Sequence, residues 1–138
     1  MKLRPFLLAF AGLLSAAPAY ADAILTLDHG TVWQTRKDGL DTQGFIQIHN
    51  NGDAPDTLTG ANCTIAASTV LVDTSGAPLQ SLAIPPGQTV TLSSSGPHLV
   101  LKGARYKIEH DAILPCAFSF TVSNELVGYL NAVARPHS

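Results

Sequence analysis

From residue 23 onward, short apolar-rich runs alternate with turn residues, and the run GFIQIHN shows the pattern best. Ile46 and Ile48 fall on one side of it, while Phe45, Gln47 and His49 fall on the other. A period of two is the mark of a half-buried strand. AILTL and TVWQT read as strands on either side of a turn at Asp28-His29-Gly30, and NNGDAPD as a loop rich in Asn, Asp, Gly and Pro. STVLVDT ends near Ser75-Gly76, QTVTLSS follows a Pro85-Pro86-Gly87 turn, and HLVLKG, CAFSFTVS and LVGYLNAVA complete the series. GANCTIAAS has room for one turn of helix, but no segment keeps a 3.6-residue period over three turns. Short strands separated by turn signals predict an all-β, antiparallel sandwich or barrel.

The first 21 residues break the pattern. Lys2 and Arg4 precede an apolar run from Phe6 to Leu14, and Ala19-Tyr20-Ala21 supplies a small-x-small cleavage site, so residues 1–21 read as a secretory signal peptide. Ser15 and Pro18 interrupt the run before it reaches the length of a membrane span. Cleavage predicts a periplasmic or secreted chain of residues 22–138, enough for one domain, with no later membrane span. Loss of Lys2 and Arg4 from eight Lys plus Arg leaves six against ten Asp plus Glu, a net charge of −4. That balance disfavours nucleic acid as a partner.

Two cysteines, Cys63 and Cys116, enter an oxidising compartment, where a disulfide is the simplest account of an isolated pair. The loop it closes would add on the order of 4 kcal/mol in the chain-entropy picture. A catalytic thiol or metal thiolate is the alternative, without a Cys-x-x-Cys spacing to support it. The only methionine is Met1, which leaves with the signal peptide.

GFIQIHNNGDAPDTLTGANC, followed by LAIPPGQTVTLSSSGPHLVLKGARYKIEHDAILPCAFSFTV, resembles the PCu(A)C family of periplasmic copper chaperones over about Ala23 to Val133. The resemblance rests on the order of a strand ending in an Asn-Gly turn, an Ile-Pro-x-Gly turn, and a strand opening His-Leu-x-Leu. It implies a cupredoxin-like, immunoglobulin-like antiparallel β-sandwich that carries Cu(I) and helps deliver it to cytochrome c oxidase. It also implies ligands in the order His-x10-Met-x21-His-x-Met, donors soft enough for Cu(I).

Carried onto this chain, the last pair falls on His98 and Val100, the preceding methionine on Gly76 and the first histidine on Val72. The segment between Val72 and Pro85 is shorter than the family pattern. Copper is the metal the resemblance implies, yet a methionine-containing Cu(I) site is excluded by composition. His98 is left as one imidazole, either a hydrogen-bonded strand residue or a metal ligand joined by a second histidine. His49 is the better second candidate, because His29 sits in a turn and His110 in a loop. A His98–His49 site would suit Cu(II) or Zn(II), more so with an oxygen from Asp28 or Asp73.

Asp28-His29 and His110-Asp111 carry no evidence of a catalytic dyad, since adjacent strand residues point to opposite faces and loop pairs this short occur by chance. With no nucleophile elbow, phosphate loop or His-Glu-x-x-His helix, the chain does not read as an enzyme. Asn62-Cys63-Thr64 reads as a chance sequon over a disulfide cysteine, and Trp33 as a core residue. The expected role is copper handling or oxidase assembly, with an oxidase-assembly or other periplasmic protein as partner. The alternatives are a non-metal interaction or structural domain and, third, a thiol-active redox protein.

Overall fold

A computed structural model describes residues 21–136. The expected signal peptide, residues 1–21, lies outside these except for its last position. Among the described residues nine strands form: β1 (Leu25–Trp33), β2 (Thr42–Asn50), β3 (Asp56–Cys63), β4 (Ala66–Val72), β5 (Leu82–Ile84), β6 (Thr89–Thr91), β7 (His98–Ala104), β8 (Ile113–Phe120) and β9 (Asn124–Val133). The described residues include no helix, and so none long and apolar enough to cross a membrane.

The strands hydrogen-bond in the order β4-β7-β2-β1-β9-β8-β3-β5, with β6 added to β2. All pairs are antiparallel except β1 with β9, which run parallel through Thr31↔Asn131 to Trp33↔Val133. The path curls so that its two halves face each other: a Cβ on Gly128 of β9 would meet Ile46 of β2 at 2.7 Å. The core between them holds Ile46, Ile48, Leu58, Leu99, Leu101, Phe118 and Leu130, all 1% exposed or less. The all-β sandwich is therefore the observed architecture.

The period-two reading of β2 holds from Ile46 onward, with Ile46 and Ile48 buried and Gln47 and His49 half-buried on the other side, whereas Phe45, also on that side, is buried against Trp33 and His98. Its end is set by Asn50, whose buried side chain accepts from the backbone of Ile24 and Gly52 and donates to the carbonyls of Ala54 and Ile84. Fully paired buried amides are costly to disturb, so this knot fixes the position next to His49. Asp56 forms a second knot, accepting from Thr57, Val122 and Ser123. Burial alone would raise its carboxyl, but these bonds together outweigh it and hold the group below the usual carboxylate range.

Four local expectations differ from the structure. Asp28-His29-Gly30 does not divide two strands; it is an irregularity inside β1, where the register shifts between Asp28 and Thr31. GANCTIAAS holds no helical turn, because β3 and β4 are joined through Thr64 and Ile65 alone. The strand expected to open at Cys116 begins instead at Ile113, which puts Cys116 in the middle of β8; the expected disulfide does form, with Cys63 directly across and the Cα atoms 4.2 Å apart. Trp33 is half-buried on the outer face, packed edge-on to Phe45 at 5.2 Å and covered by the Arg135 guanidinium.

Candidate functional site

The first candidate is the entrance of β7. Val72, the last residue of β4, pairs directly with His98, the first of β7, and Val70 pairs with Val100. Two positions assigned to ligands by resemblance thus meet across one ladder. His98 is 5% exposed and its Nδ1 donates to the Gly96 carbonyl at 2.8 Å, a bond that holds the ring against Phe45 at a centroid distance of 6.2 Å. Gln43, across from Val100, has a buried Oε1 without a hydrogen-bond partner.

The turn after Val72 closes tightly. Asp73 accepts from the backbone of Ser75 and Ala77 and from the Ser75 hydroxyl, and Gly76 takes φ +90°. Bonds from Ser75 and then Ala77 keep the Asp73 carboxyl low, so its oxygen is occupied in the turn. A methionine at Gly76 would carry a strained backbone. The entrance therefore does not fit Cu(I) held by two His and two Met: it offers one imidazole, two valines and a glycine.

The second candidate lies on the outer face of β1, β2 and β6. Register pairs Thr26 with His49 and Asp28 with Gln47, which puts Asp28 diagonally beside His49 on the same face. His49 Nε2 lies 2.7 Å from Asp28 Oδ1, and its Nδ1 lies 2.8 Å from the hydroxyl of Thr89, the residue across from it on β6. His29 would point to the opposite face of a regular strand, but it adopts φ +55° within the β1 irregularity. Its Nδ1 lies 2.8 Å from the same Asp28 oxygen.

Gly30 makes that bend feasible, because a Cβ there would collide with the Tyr129 carbonyl of β9. Asp28, His29 and His49 thus converge, each able to offer one ligand atom within 4.8 Å of the others. Hydrogen bonds from His29 and then His49 hold the Asp28 carboxyl below the usual range. A shallow groove of about 310 Å³ runs from His29 past Thr31, Trp33 and Phe45.

The two candidates share a face but not a site. Gly44↔Leu99 places His98 level with Phe45, four residues from His49, roughly 13 Å at strand rise. His110 is exposed in a turn and lies 3.3 Å from Asp111, apart from both candidates. The residue that sequence reasoning missed is His29. The glycine following it was the available signal.

A family model described as "Putative lipoprotein LpqE-like" matches residues 25–127. The chain belongs to the LpqE-like family. Its fold is that of PCuAC domains: the apo PCuAC domain from PmoF1 superposes with a TM-score of 0.73 at 25% identity, over 84% of this chain and 100% of that one. The copper-bound PCuAC domain from PmoF2 gives 0.72 at 18% identity over 85% and 100% of the two chains. Cu(I)-DR1885 from Deinococcus radiodurans gives 0.62 at 22% identity over 86% and 85%. No curated protein matches the sequence.

This LpqE-like chain is thus a PCuAC-like, copper-chaperone-type domain. Its donors on the outer face are imidazoles and a carboxylate. Such donors suit Cu(II) or Zn(II), whereas Cu(I) favours thioether and thiolate sulfur. Both sulfurs in the described chain are locked in the Cys63–Cys116 disulfide.

Proposed function

We propose that the protein is exported, that its single domain spans residues 22–138, and that it handles copper in a periplasmic or secreted setting as a divalent ion and not as Cu(I). The observation that carries this reading is the donor inventory on a copper-chaperone fold. No methionine follows Met1, the disulfide removes both thiols, and the entrance is reduced to His98. Delivery toward an oxidase-assembly partner is the role that the family resemblance supports.

The test is calorimetric titration of the purified, oxidised protein with Cu(II) and Zn(II), and with Cu(I) under a competing chelator. Stoichiometric uptake of a divalent ion with no comparable Cu(I) binding is the expected result. Weak surface association alone would defeat the reading.

A second reading, a protein-interaction domain without metal, is favoured by one feature. Ile113, Val127 and Tyr129 lie on the outer face of the β8–β9 pair and are 61, 55 and 60% exposed. Apolar side chains clustered on one sheet face mark an interaction surface. Absence of specific metal binding would turn the search there.

A further inference from the structure

We propose that Asp28, His29 and His49 form a binding site for one Cu(II) or Zn(II) ion, with Thr89 as its outer-shell support. The inference rests on the divalent-ion reading above and adds the location, which is the outer face of β1, β2 and β6 and not the β7 entrance.

The geometry is close to that of a three-ligand site. Both imidazole nitrogens already aim at Asp28 Oδ1, at 2.8 Å from His29 and 2.7 Å from His49. Neighbouring donors on a tetrahedral ion with bonds of about 2.0–2.1 Å stand about 3.3 Å apart. An ion would therefore have to open each contact by about half an ångström. Asp28 is 48% exposed on the side-chain scale, so its carboxylate can move by that much without disturbing the core.

The protons also have somewhere to go. Without metal, His29 Nδ1–H and His49 Nε2–H donate to the Asp28 carboxylate, and in the His49 tautomer that carries its proton on Nε2 the Thr89 hydroxyl donates to Nδ1. With an ion bound, the His49 proton moves to Nδ1 and donates to Thr89 Oγ1, because a hydroxyl can both give and accept a hydrogen bond. The His29 proton moves to its solvent-facing Nε2. Each ring thus frees a lone pair for the ion by changing tautomer, and the Asp28 carboxylate offsets part of the ion's charge. A metal-bound imidazole is usually held in this way by a partner on its second nitrogen.

Two features separate this cluster from an ordinary surface contact. Asp56 and Asp73 are satisfied by backbone and hydroxyl donors that serve turns, whereas the side-chain partners of Asp28 are both imidazoles. His29 also takes φ +55°, which turns its ring to the face of Asp28, so that two imidazoles and not one meet the same carboxylate oxygen. Three ligands leave a fourth position toward solvent, open to water or to a donor from a partner protein.

The experiment titrates the purified, oxidised protein with ZnCl2 and CuCl2 and records the electron paramagnetic resonance spectrum of the Cu(II) form. The expected result is one ion per chain and a nitrogen hyperfine pattern from two imidazoles. His49→Ala should weaken binding by more than the roughly 10- to 100-fold expected for Thr89→Val, since the first removes a ligand and the second an outer-shell partner. His29→Asn, chosen because asparagine tolerates positive φ, should leave one imidazole nitrogen in the spectrum. His98→Ala should bind as the wild type does.

Undiminished binding in the His29→Asn, His49→Ala double variant would overturn the site. Loss of binding in His98→Ala would also overturn it while leaving the divalent-ion reading intact. No stoichiometric binding by the wild type would defeat both.

Discussion

The β7 entrance and the outer face of β1 and β2 are about four strand positions apart, yet they have opposite properties. The entrance has the placement that the copper-chaperone resemblance assigns to ligands, with Val72 directly across from His98, and almost none of the chemistry. The outer face has the chemistry, two imidazoles and a carboxylate within 4.8 Å, at positions to which the resemblance assigns nothing. The packing that shapes the first region needs only buried, well-fitted side chains. A metal site needs donors with free lone pairs and room to exchange. A fold can keep the former and lose the latter, which is why function is argued from the site.

The strongest test of the contrast is what an ion does to stability. Zinc at 100 times its dissociation constant should stabilise the wild type by about 2.7 kcal/mol, if the ion binds only the folded chain. His98→Ala should show the same gain over its own metal-free state, and His49→Ala should show none. Thermal unfolding with and without ZnCl2 measures both. A gain that follows His98 would reverse the roles of the two regions.

Next in size is the structural role of His98. Its ring is buried against Phe45 and bonded to Gly96, so His98→Ala should cost about 2 kcal/mol in denaturant unfolding through lost packing and a carbonyl left without its partner. Gly76→Met should follow at about 1–2 kcal/mol, the penalty for a side chain at positive φ. It should also fail to create Cu(I) binding when assayed against a competing chelator, since one thioether in a strained turn does not rebuild a four-donor site.

How far each region was legible follows from the same physics. Burial patterns are periodic, so Ile46 and Ile48 against Gln47 and His49 are directly legible, and an isolated pair of cysteines makes a Cys63–Cys116 bond the simplest account. The entrance is legible as a deficit because no methionine follows Met1, whatever the alignment. The outer face was not legible, because it depends on a break in periodicity. His29 shares a face with Asp28 only through its positive φ and the register shift before Thr31, and nothing in the side chain of histidine signals either. Gly30 is the visible trace, and in sequence it predicts a turn between two strands. Its structural reason is the approach of β9, a contact about a hundred residues away that local pattern does not encode. Thr89 is hidden in the same way, 40 residues from His49 in sequence and brought to it by β6 pairing.

The smallest predicted effect divides the regions most cleanly. His49→Ala, studied without metal, should change the unfolding free energy by no more than about 0.5 kcal/mol, as expected for a partly exposed side chain whose partners can turn to water. Asp28 and Thr89 are both at the surface, so neither is left as a buried orphan, and Asn50 continues to fix the end of β2. A loss comparable with that of His98→Ala would mean that the Asp28–His49–Thr89 chain braces β1, β2 and β6. The convergence of the three donors would then be explained by folding alone. A change within the predicted range leaves two histidines held in register, one of them at a conformational cost, with no return in stability. The convergence of the three donors would then not be explained by stability, and the metal titration decides what it serves.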